Sequence, residues 1–167
     1  ADRGESFLSD EHARAVSGTS SLGLDADGNF TALWVDAHID TGAYLSRRSK
    51  GLLNNMGGVA GQYKTPNIAT QMSFFFTNTM QTSPYRGFGR PEATYVIERL
   101  IDQAARETGR DPLALRQQNL IPAEAMPYQT ALTFNYDSGN FPKIVATAAK
   151  NADYAGFAKR RKKSEAR

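Results

Sequence analysis

The stretch from Pro91 to Gly109 constrains the fold more than any other part of the chain. Proline suits the first position of a helix, where its missing N–H would have no partner anyway. Glu92 falls in the first turn, where the helix dipole favours an acid. Val96, Ile97, Leu100, Ile101, Ala104 and Ala105 recur at helical spacing and form a core-facing stripe. Glu98, Arg99, Asp102, Gln103 and Arg106 make the wet face, and Gly109 is a natural stop. Asp111-Pro112 repeats the start signal, an N-cap followed by proline, for a second helix to about Asn119 that Pro122 ends.

Strands precede these helices. Residues 16–24 are small and apolar, and Asp25-Ala26-Asp27-Gly28 supplies turn chemistry. Phe30 to Ile39 then alternates, with Leu33, Val35, Ala37 and Ile39 on one face and Phe30, Trp34, Asp36 and His38 on the other. This predicts a hairpin. Residues 46–67 are broken by glycines at 51, 57, 58 and 61 and read as loop or short helix. A third strand is expected over 68–77, with Met72, Phe74 and Phe76 on one side, Phe75 on the other, and both faces partly buried. Residues 127–140 read as irregular, and a third helix is expected from Pro142, with Ile144, Val145 and Ala148 facing the core. Strands followed by helices imply an α+β fold, a hairpin and third strand packed with two to three helices. Residues 1–157 read as part of one domain and 158–167 as a basic connector that stays mobile or needs a partner. Ala1 in place of an initiator Met, before Asp2-Arg3-Gly4-Glu5, suggests a piece of a longer protein.

The net charge of +3 raises a nucleic-acid reading. Residues 158–167 hold six of the 20 basic residues, which leaves 14 basic against 16 acidic residues elsewhere. A phosphate-binding face needs cations spread over a folded surface. No nucleic-acid partner is therefore expected. There is no cysteine, so a disulfide, a thiolate zinc site and an iron–sulfur cluster are excluded within these residues. His12 and His38 lack metal-ligand spacing, and no apolar run reaches the length of a membrane span. Gly87-Phe88-Gly89 lacks the third glycine of a dinucleotide fingerprint. Ser138, His38 and Asp36 have no triad-like spacing.

The segment 82–92 is the candidate site. Two glycines flank Phe88, and Arg86 and Arg90 bracket the group. Glycine lets a backbone approach a ligand closely, and N–H groups ahead of a helix suit an anionic or oxo ligand. On residue pattern alone two readings stay open, a ligand loop and a tight loop with Phe88 as core.

The run Thr77-Asn78-Thr79 … Pro84-Tyr85-Arg86-Gly87-Phe88-Gly89-Arg90-Pro91-Glu92-Ala93-Thr94-Tyr95-Val96-Ile97-Glu98-Arg99-Leu100 resembles the molybdopterin-binding large subunit of the xanthine dehydrogenase/aldehyde oxidase family. So do Asp111-Pro112-Leu113-Ala114-Leu115-Arg116 … Asn119-Leu120-Ile121-Pro122, Tyr136-Asp137-Ser138-Gly139-Asn140-Phe141-Pro142 and Asp40-Thr41-Gly42-Ala43-Tyr44. The likeness implies an oxidoreductase that hydroxylates aldehydes or nitrogen heterocycles with water as oxygen source. Its cofactor would be molybdenum on molybdopterin, in the cytosine dinucleotide form, not tightly held by this piece alone. The cofactor carries the redox chemistry while the protein positions.

The resemblance also assigns residues. Arg86, Gly87, Phe88 and Gly89 would bind cofactor, Phe88 would pack on flat substrates, and Arg14 would orient substrate. Members that oxidise carbon monoxide carry a cysteine where Gly87 stands, so that substrate is disfavoured. The family's glutamate base lies near the far C-terminus of the subunit, and no residue here takes that role. Alone, this piece is expected to be inactive. Its partners would be the rest of the large subunit, iron–sulfur and flavin subunits or domains, and the small-molecule substrate. The location would be cytoplasmic, with periplasmic export of the complex left open. A non-catalytic binding or assembly module on the same scaffold is the alternative.

Overall fold

The computed structural model describes residues 1–13, 15–46 and 51–166, with the backbone alone at 52–54. Strands β1 (Val16–Leu24) and β2 (Phe30–Asp40) form the expected antiparallel hairpin. Asp25 organises its turn: one carboxylate oxygen accepts the N–H of Asp27 at 3.0 Å and of Asn29 at 2.8 Å. The Asn29 side chain donates to the other oxygen at 2.9 Å. Strand β3 (Asn67–Phe75) lies parallel to β2 on its far side, so the sheet is mixed, in the order β1-β2-β3. Parallel strands require a crossover. Here it is residues 41–66, carrying helix α2 (Gly51–Met56) and a 3₁₀ turn over Gly57–Ala60.

Helix α3 (Arg90–Thr108) and helix α4 (Pro112–Asn119) cover the sheet. The inner face of β2 buries Leu33, Val35, Ala37 and Ile39, in one cluster with Ala93, Ile97, Ile101, Ala104 and Ala105 of α3. Ile97 and Ile101 are almost completely buried, each contributing about 2–3 kcal/mol of apolar burial. Asn119, at the end of α4, reaches the hairpin. Its amide donates to Gly28 O at 3.0 Å and its oxygen accepts from Phe30 N–H at 2.8 Å. The α+β class follows from these layers, as the sequence predicts.

Several details differ from expectation. Phe30 lies in the core at 3% exposure, because an irregularity pairs Leu24 with Phe30 and skips Thr31, which shifts the alternation by one residue. Phe75 and Phe76 are 51% and 65% exposed, so the surface around them is uncovered among the described residues. Met72 and Phe74 pack partly against the core. The first residues form helix α1 (Arg3–Ser9) through a capping box, in which Asp2 accepts from Glu5 N–H and Glu5 from Asp2 N–H.

Residues 127–140 contain a short ladder between β4 (Tyr128–Gln129) and β5 (Asn135–Tyr136). Helix α5 (Phe141–Asn151) begins where proline predicts it. It turns Phe141 and Val145 toward the core and leaves Ile144 61% exposed. The basic connector, expected to stay mobile or to need a partner, is helix α6 (Phe157–Glu165) with no buried residue. Six α-helices stand among the described residues, the additional ones being short or peripheral.

Candidate functional site

The loop leading into α3 is rooted at the end of β2. Gly42 turns there with φ of +74°, and a Cβ on it would meet Met80 O at 2.2 Å, so only glycine fits. Asp40 holds this turn from below. Its carboxylate accepts Gly42 N–H at 2.7 Å and the hydroxyls of Thr77 at 2.6 Å and Thr79 at 3.2 Å. These bonds, that of Thr77 foremost, hold the Asp40 carboxyl below its ordinary value of 3.8. Thr82 N–H then donates to Thr41 O at 3.2 Å, and Ser83 N–H to His12 O at 3.1 Å. The loop root is thus clamped on both sides.

Beyond it the chain folds tightly onto the start of α3. Phe88 N–H donates to Tyr85 O at 2.9 Å and Arg90 N–H to Gly87 O at 3.1 Å. Gly87 and Gly89 both have φ of +93°, in the region that glycine adopts without strain. Glu92 reaches back to accept from Gly89 N–H at 2.9 Å, the role of a first-turn acid. The N–H groups of Phe88, Gly89 and Arg90 are therefore engaged within the loop, contrary to the expectation that those ahead of the helix stand open. Among the described residues, the N–H groups of Arg86 and Gly87 make no hydrogen bond.

Phe88 points inward. Its ring is 7% exposed and lies under Gly51 of α2, where a Cβ would come within 3.0 Å of it. Asn55 of α2 donates to Phe88 O at 2.6 Å. The side chains of Arg86 and Arg90 are exposed, and neither makes a hydrogen bond or ion pair among the described residues. The loop therefore carries two exposed cations and two backbone donors without a hydrogen bond among the described residues. That combination suits an anionic or oxo group. Arg14 lies outside the described residues.

A second polar cluster, which sequence spacing does not reveal, joins α3 to α4. Arg116 donates to Glu98 at 2.7 Å and to Asp102 at 2.8 Å, while Tyr63 O–H donates to Glu98 at 2.8 Å. Burial, then the Glu98 charge, pushes the Tyr63 phenol far above its ordinary value, so it stays protonated as a donor. Every member is engaged, and the cluster is a fastening between helices. No group of three or more His, Cys, Asp or Glu residues able to hold a metal exists among the described residues. Nor is any of their helices long and apolar enough to cross a membrane. The Ser138 hydroxyl donates to Asp137.

Comparison with known proteins matches this architecture. Residues 1–120 fit the model of the molybdopterin cofactor-binding domain. The chain is 30% identical to the gamma subunit of the 6-hydroxypseudooxynicotine dehydrogenase complex of Paenarthrobacter nicotinovorans, over 99% of this chain and 22% of that protein. It is 31% identical to the carbon monoxide dehydrogenase large chain of Afipia carboxidovorans, over 92% of this chain and 19% of that one. The crystal structure of quinoline 2-oxidoreductase from Pseudomonas putida 86 superposes with a TM-score of 0.90 at 28% identity, covering all of this chain and 22% of the other. The chain belongs to the molybdopterin cofactor-binding domain family, as the resemblance implies. It spans about a fifth of the length of the curated relatives it matches.

Proposed function

We propose that this chain is the segment of a molybdenum hydroxylase large subunit that forms one wall of the cofactor and substrate site, through Arg86, Gly87, Phe88 and Gly89. The observation that carries this reading is the loop itself, where Arg86 and Arg90 are exposed and, among the described residues, the N–H groups of Arg86 and Gly87 make no hydrogen bond. In the bound state molybdopterin, in its cytosine dinucleotide form, would supply the redox chemistry that hydroxylates an aldehyde or nitrogen heterocycle with oxygen from water.

The protein's part is positional. Arg86 and Gly87 donate hydrogen bonds from the backbone, and the two guanidiniums neutralise negative charge. The Glu92–Gly89 bond keeps the loop in the shape that aims them. Phe88, nearly buried, supports that shape from below, and by the family likeness it would pack against a flat substrate. Arg14 would orient the substrate from the N-terminal side. Scaffold likeness does not choose the substrate, because a carbon monoxide dehydrogenase large chain is among the similar proteins. The loop chooses: Gly87 supplies no thiol, which disfavours carbon monoxide. The general base, iron–sulfur clusters and flavin would come from the remainder of the subunit and its partner subunits.

The test is to purify the intact polypeptide with its electron-transfer partners, measure molybdenum and pterin nucleotide, and screen aldehydes and N-heterocycles. Stoichiometric molybdenum is expected, with Arg86→Ala lowering it. A metal-free, correctly assembled complex would leave the non-catalytic scaffold reading in its place.

A further inference from the structure

Strand β1 stands at one margin of the sheet, and among the described residues no strand pairs with its outer side. Asp40 N–H donates to Ala15 O, so in the antiparallel register residues 17, 19, 21 and 23 are those bonded to β2. The N–H and C=O groups of Val16, Gly18, Ser20 and Leu22 therefore point outward. The strand's nine residues contain no charge and no proline. Exposed edges are normally protected by those residues or by being short. Beside the margin runs a groove of about 730 Å³ between β1 and α3, with Val35 and Leu100 among its apolar lining and Arg99 and Gln103 among its polar lining. Val16 is 39% and Tyr95 68% exposed along it. The hollow near β3, beside Trp34 and Ile68, is smaller, about 410 Å³.

We infer that β1 is an internal strand of the assembled subunit: a further strand, contributed by the polypeptide outside these 167 residues, pairs with it and sends alternate apolar side chains into the groove. This rests on the large-subunit reading above. The occupant follows from the size of the relatives, since this chain accounts for 19–22% of them and most of such a protein lies elsewhere. A covalently attached strand acts at high effective concentration, so it needs no charged residues on the edge to guide it, and none are there. Its alternation would place apolar residues over Leu100 and a polar one against Arg99 or Gln103.

Residue-resolved amide hydrogen exchange on the intact subunit tests this, because Thr19 and Ser21 bond to β2 and serve as internal standards. The amides of Gly18, Ser20 and Leu22 should exchange within about tenfold of those neighbours. Exchange more than about a hundredfold faster overturns the inference. Molybdenum measured in the same sample reports separately on the large-subunit reading. Protection that vanishes on dilution would assign the margin to a second copy and likewise overturn it. Ser20→Lys, which puts a charge into the groove, should accelerate exchange at Gly18 and Leu22 relative to Ser21, while Thr19→Lys, on the opposite face and outside the groove's lining, should not. An unaltered Ser20→Lys pattern counts against a strand at that margin.

Discussion

The middle of helix α3 and the entry to it use the same chemistry to opposite effect. At the middle, the Arg116 side chain is 18% exposed and is bonded to both Glu98 and Asp102, with Tyr63 completing the set. At the entry, Arg86 and Arg90 stand in solvent with no partner among the described residues. A cation with every guanidinium nitrogen engaged is committed to the fold, whereas one held on a shaped loop with no partner among the described residues is available to a ligand. Engagement, and not residue type, separates fastening from site.

That contrast is most sharply broken by Arg116→Met. Removing the cation strands two carboxylates, and because both are about one-third exposed the loss should be about 2–3 kcal/mol. Urea unfolding followed by circular dichroism measures it. Gly87→Ala is next. Its φ of +93° and the 3.1 Å approach to Pro91 should make it unfavourable by about 1 kcal/mol. Its larger consequence should be on molybdenum content of the intact subunit, read by elemental analysis.

Asp40 tests the loop root by pH. Its folded pKa lies below 3.8, so its contribution is present above that value and is lost as pH falls through the lower, folded one. Asp40→Asn should flatten this part of the acid-unfolding profile, and an unchanged profile would deny Asp40 that role. The smallest effect on stability belongs to Arg90→Gln, within about 0.5 kcal/mol, with a fall in molybdenum content. A loss of stability comparable to that of Arg116→Met would erase the distinction between the two regions.

Legibility in the sequence followed the range of the interactions. α3, α4 and α5 could be read because their start signals are local, a proline within the first turn of each. α1 is equally local, since Asp2 and Glu5 have capping-box spacing. Phe30 was assigned to the wrong face because a one-residue shift in strand pairing depends on the partner strand. The Arg116 cluster joins residues up to 53 positions apart, from Tyr63 to Arg116, and no spacing rule reaches that far. The loop at Arg86–Gly89 was visible through its glycines and its resemblance to a family. That Phe88 turns inward depends on Gly51, which lies on another element.

Asn119 carries a consequence for the order in which the molecule assembles. It grips Gly28 and the N–H of Phe30 across 91 and 89 residues, closing a long circuit around the hairpin, β3 and α3. The hairpin is a local structure that can form within microseconds, but its turn is captured only after the ribosome has delivered residue 119. Closing a loop of that length costs more entropy than closing the hairpin. The contact that fixes the hairpin's turn therefore comes from the last residue of α4, and the site loop at residues 86–89 lies inside the circuit it closes.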